Sequence, residues 1–116
     1  MTRQIQELPR LADYRAKRKT VYFNRVELNQ LLAVYSRHVI RGEWRDYAID
    51  HRDGFALFSV FRHSQESPTF SVMKNGAGSG RPGDFAVFCG RQRLCTAKTL
   101  GEALEIFQRR PSLVRG

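Results

Sequence analysis

The chain has 116 residues, 41% of them apolar and 27% charged, with twenty Lys and Arg against eleven Asp and Glu, a formal charge of +9 and a pI near 10.4. That length suits one domain burying roughly 65% of the surface its unfolded form exposes, enough for a core without metal or disulfide staples. No apolar run approaches the about 20 residues that cross a bilayer, the opening MTRQIQELPR lacks the apolar stretch of a secretion signal, and two cysteines are too few for a secreted disulfide framework. These features exclude a helical membrane protein and predict a reduced, cytoplasmic one.

Residues 1–19 carry six cations against two acids, with a proline and no sustained apolar periodicity, and read as a flexible basic arm. Thr20 to Phe23 is a short β-branched and aromatic run that suits a first strand. Asn24 and Glu27 stand three apart, a capping pair, and Leu28, Leu31, Leu32, Tyr35 and Val39 follow at helical spacing. A helix is predicted over 25–41, with Gly42 as its stop.

Strand-like runs separated by turn signals follow at 46–51, 55–62, 69–75, 84–89 and 93–98. Thr99 and Glu102 form a second capping box, and Leu100, Ala103, Leu104 and Phe107 mark an amphipathic helix ending at Arg110 before Pro111. The expected fold is α+β: an antiparallel meander sheet of about five strands with an N-terminal and a C-terminal helix packed against it. Residues 20–110 form the single domain and 111–116 a tail.

Asp53-Gly54, between two apolar runs, signals a two-residue hairpin turn with positive φ at both positions. That turn sets Arg52 opposite Phe55, Ile49 opposite Phe58 and Tyr47 opposite Val60. One side of the ribbon is then core, and Phe55, Leu57 and Phe61 share the other, to be covered by a helix or by a second subunit. The same stretch, RDGFALFSVFR, approaches the base-stacking strand of RNA-recognition modules, but Leu57 stands where the second ring belongs. Asp46 and Asp50 would also repel phosphate there, so that motif is set aside.

Cys89 and Cys95 flank a tight hairpin in CGRQRLC. A three-residue loop would oppose them and a four-residue loop would not; both are read as small, buried, reduced apolar residues. Their spacing does not suit a zinc knuckle, and His38, His51 and His63 are scattered, as surface histidines are. No metal or other cofactor is inferred. In HSQES, 63–67, His63 and Ser64 are neighbours in a polar loop and poorly placed for a Ser-His relay. GAGSGRPG, 76–83, leads into a strand and lacks the Lys-Ser or Lys-Thr pair of a phosphate loop. Trp44 reads as a packing anchor rather than a stacking platform.

GEWRDYAID followed by FSVFR, with a further strand and a late strand-helix unit, resembles a family of small bacterial proteins catalogued only as a domain of unknown function. The likeness spans about residues 20–110, and the resemblance implies a compact domain without implying any activity, cofactor or catalytic residue. Function therefore rests on charge. Sixteen of the twenty cations are Arg, which grips phosphate bidentately, although a genome rich in Arg codons gives the same bias. The expectation is a non-enzymatic, nucleic-acid-associated accessory or regulatory factor with no small-molecule substrate and no membrane. Arg3, Arg10, Arg15, Lys17, Arg18 and Lys19 would form its anchor, and Arg91 and Arg93 a phosphate clamp at a hairpin tip. The alternative is a protein-interaction module that dimerises or docks a partner through Phe55, Leu57 and Phe61.

Overall fold

A computed structural model describes residues 19–63, 67–77 and 84–109. The first helix, α1, spans Arg25–Ile40 and begins where its sequence signal places it. The Asn24 side chain accepts from the Glu27 backbone N–H, and the Glu27 carboxylate accepts from the Asn24 N–H, both at 2.8 Å. Its far end is closed by Gly42, whose φ of 78° lies in the left-handed region that glycine enters without strain.

Five strands follow, β1 Asp46–Arg52, β2 Phe55–Phe61, β3 Phe70–Asn75, β4 Phe85–Cys89 and β5 Gln92–Ala97, each antiparallel to the next in one sheet ordered as in the sequence. The expected meander is therefore present. Its first hairpin has the register read from Asp53-Gly54, with Arg52 opposite Phe55, Ile49 opposite Phe58 and Tyr47 opposite Val60. The turn differs in one respect: Gly54 alone has positive φ. Asp53 keeps a negative φ and instead bridges Thr20, whose hydroxyl donates to the Asp53 carboxylate at 2.8 Å.

The same crossing explains why 20–23 is not a strand. Lys19 accepts from the Gly54 N–H and Val21 donates to the Arg52 carbonyl, one bridge at the hairpin tip. The chain then leaves the sheet edge so that Phe23 enters the core and Asn24 caps α1.

The last helical stretch divides into α2, Leu100–Leu104, and α3, Ile106–Arg109. Glu105 donates to Glu102 and Gln108 to Glu105, both three residues back. This tightening turns Ile106 inward beside Phe107, so that both join Leu100, Ala103 and Leu104 in the core. The expected end at Arg110 falls outside the described residues.

Both helical elements lie on the sheet face bearing Phe58, Val60, Phe70, Val72, Phe85 and Val87, and these residues form one buried cluster with Leu31, Val34 and Trp44. The reading that a helix covers Phe55, Leu57 and Phe61 is thus corrected. Alternation along β2 puts those three side chains on the reverse face.

Candidate functional site

The strands fix two ends of the molecule. At one, β1 begins, β2 ends, β4 turns into β5 and α1 terminates; at the other lie the β1–β2 turn, the start of α1 and the start of α2. Arg45 donates its backbone N–H to the Phe61 carbonyl at 2.8 Å, which ties the residue before β1 to the last residue of β2. Arg62 directly follows β2, so both arginines lie at this end of the β1–β2 pair. The two guanidiniums, with His63, Val39, Gly42, Glu43 and Trp44, line a cleft of about 500 Å3.

Further cations converge on this end. Arg37 occupies the last turn of α1 and Arg41 caps it, where they also offset the negative pole of the helix. Arg91 sits in the β4–β5 turn and Arg93 faces Phe88 on β5. Among the described side chains, this end carries Arg37, Arg41, Arg45, Arg62, Arg91 and Arg93, all exposed, against the carboxylates Glu43 and Asp46. The opposite end is balanced. Lys19, Arg25, Arg52, Lys74 and Lys98 stand there among Glu27, Asp50, Asp53, Asp84 and Glu102, while Glu105 lies between the ends.

Beneath the cleft, His38 is 2% exposed, which corrects the reading of the three histidines as surface groups; His51 and His63 are exposed as expected. Its side chain lies on the inward face of α1, where it stacks on Trp44 with ring centroids 4.0 Å apart. Imidazole Nδ1 lies 2.8 Å from the Val34 carbonyl and donates to it, which leaves Nε2 facing Glu43 Oε1 at 3.7 Å, too far for a hydrogen bond. His38 Nε2, Glu43 Oε1 and Trp44 Nε1 are buried without a hydrogen-bond partner. One carboxylate oxygen of the cleft is thereby turned inward, away from the guanidiniums. Trp44, 3% exposed, is a packing anchor as its sequence position suggests.

Of the residues singled out by sequence, the structure groups Arg91 and Arg93 with the cationic end. Lys19 lies at the other end, at the β1–β2 turn, and Arg3, Arg10, Arg15, Lys17 and Arg18 fall outside the described residues. Arg45 and Arg62 were missed although a signal for them existed: in the Asp53-Gly54 hairpin one directly precedes β1 and the other directly follows β2, at the same end of the pair. Arg37 and Arg41 required knowing where α1 ends relative to the sheet.

The cysteines are not opposed. Cys89 pairs with Gln92 across a two-residue Gly90-Arg91 turn, and a bulge beyond Val87 sets Cys95 opposite Val87. Cys89, the last residue of β4, is exposed rather than buried, and Cys95 is half-buried with Sγ 3.9 Å from the Ala103 carbonyl. Among the described residues no group of three or more His, Cys, Asp or Glu could hold a metal, and no helix is long and apolar enough to cross a membrane.

A family model described as a protein of unknown function (DUF2794) matches residues 21–93, which takes in α1, the first four strands and the two arginines of the β4–β5 hairpin but not the final helices. No curated protein and no solved structure matches the chain.

Proposed function

The chain belongs to this family of proteins of unknown function, and from that premise we propose that it is a non-enzymatic, nucleic-acid-associated factor that contacts the phosphate backbone through its cationic end. The carrying observation is that, among the described side chains, six exposed guanidiniums gather against two carboxylates where α1, β1, β2 and the β4–β5 hairpin meet, while the opposite end is charge-balanced. At about 4.8 Å between strands, Arg91 in the β4–β5 turn stands roughly 17 Å across the sheet from Arg45, comparable to about five phosphates of one strand at about 3.4 Å each. Arg45 and Arg62, which line one cleft, form the site for a single phosphate with two forked donors.

Fluorescence-anisotropy titration with labelled single- and double-stranded oligonucleotides tests this. Four to six neutralised phosphates predict a loss of roughly 10²–10³-fold in affinity between 50 and 200 mM salt. Affinity that is undetectable at the lower salt, or unchanged by salt, contradicts the reading.

A further inference from the structure

We propose that the sheet face turned away from the helices is a homodimer interface, on which a second copy of the chain packs about a two-fold axis running along the strands. This does not rest on nucleic-acid binding. Leu57, Phe61, Met73 and Phe88 stand half-buried on that face, and among the described residues no helix or strand lies over them. Between them sit two small residues that the larger side chains wall in, Ser59 at 4% and Ala86 at 3% exposure.

The ladder registers arrange these residues in rows across the sheet. Ala48, Ser59, Ser71, Phe88 and Arg93 share one row, and Asp50, Leu57, Met73, Ala86 and Thr96 the next. A two-fold axis along β3 lays β2 over β4 of the second copy and β1 over its β5. Leu57 then meets the second copy's Ala86 and Phe88 meets its Ser59, so these two large side chains face small ones, while Met73 meets the second copy's Met73 across the axis.

The edges are complementary too. Asp46 and Asp50 flank Ala48 on β1, whereas β5 presents Arg93 in the row of Ala48. The same axis seats Arg93 of each copy between the two carboxylates of the other. An axis perpendicular to the strands would instead lay β5 on itself, leaving Arg93 and Asp50 without opposite charges. Five strands of about six residues present roughly 400 Å2 in flat projection. Side-chain relief raises the buried area toward the about 800 Å2 per partner of a standard interface. A dimer of modest affinity follows, with both cationic ends on one side, where Arg93 belongs to the interface and Arg37, Arg41, Arg45, Arg62 and Arg91 stay open to phosphate.

Sedimentation equilibrium over a concentration series tests the proposal, with circular dichroism confirming that each variant is folded. The wild type is expected to pass from 13.4 kDa to twice that mass with rising concentration. Asp50→Arg and Arg93→Asp are each expected to weaken association on the order of tenfold. Their equimolar mixture should restore it, because the heterodimer sets the two introduced side chains, of opposite charge, against each other and keeps the native Asp50 of one copy against the native Arg93 of the other. A wild type that stays monomeric, as it would if residues 1–18 of the same chain covered the face, overturns the proposal. So does a dimer insensitive to both single variants, or a mixture that regains nothing.

Discussion

His38 and Trp44 lie face to face at the corner of the fold, their planes 11° apart and their centroids 4.0 Å apart. Phe107 meets the edges of both rings, at 5.8 Å from His38 and 5.4 Å from Trp44, and Phe70 stands against Phe107 at 5.2 Å. This aromatic knot joins α1, the α1–β1 connection, β3 and α3 directly below the cationic end, so the floor of the cleft is built by the core. Trp44→Ala is expected to cost about 3–5 kcal/mol in urea unfolding. Trp44→Phe keeps the stack and loses an indole N–H that has no partner, and should cost less than half as much. Equal losses would place the energy in the N–H and contradict the packing account.

Lys74 reaches across from β3 to the start of α1, donating to Glu27 Oε1 at 2.7 Å and to the Tyr22 carbonyl at 2.8 Å. Glu27 is also the second half of the capping box, so strand and cap share one carboxylate. Lys74→Ala should cost about 1–3 kcal/mol by leaving that partly buried carboxylate and the Tyr22 carbonyl without their donor, and Asn24→Ala about 1 kcal/mol. Because both changes act on Glu27, the double variant is expected to depart from additivity by about 0.5 kcal/mol or more. Strict additivity in chemical denaturation would show that the cap and the ion pair act separately.

How much of this was legible beforehand follows from the range of each interaction. Both capping boxes, the Gly42 stop and the β1–β2 register came from neighbours within a few residues in sequence, and all stand in the structure. His38 did not, because nothing local shows that the inward face of α1 meets Trp44. The β4–β5 bulge that separates Cys89 from Cys95 was likewise invisible, since it turns on one unpaired residue. The cationic end was half legible: Arg91 and Arg93 came from turn chemistry, whereas joining them to Arg45 and Arg62 needed the strand order.

Gly76 tests the crossing at the hairpin tip. Its N–H donates to the Gly54 carbonyl at 2.9 Å, and a Cβ there would stand 2.7 Å from Val21 Cγ2 and 3.2 Å from the Gly54 oxygen. Gly76→Ala is expected to destabilise by about 1–3 kcal/mol, and adding Val21→Ala should recover part of the loss. No recovery would mean that the backbone contact with Gly54, not the Val21 methyl, sets the limit.

Tyr35 supplies a pH dependence. Burial, followed by the nearby Asp46 carboxylate and Tyr47, holds its phenol above the ordinary value of 10.0. The folded state thus keeps a proton that the unfolded state releases. This contribution is complete below about pH 10 and is lost as pH rises through the folded-state value. Stability should fall more steeply above about pH 10 in the wild type than in Tyr35→Phe. Parallel curves would remove Tyr35 as the cause.

The most direct test of the cationic end compares two charge reversals in the same oligonucleotide titration. Arg45→Glu with Arg62→Glu alters the cleft, while Arg25→Glu with Arg52→Glu alters the opposite end, and all four side chains are exposed. Each pair changes the net charge equally. The first pair is expected to lower affinity by at least about 10²-fold and flatten the salt dependence, and the second to act only through overall charge, by about tenfold or less. Equal losses from the two pairs would contradict an interface gathered at one end.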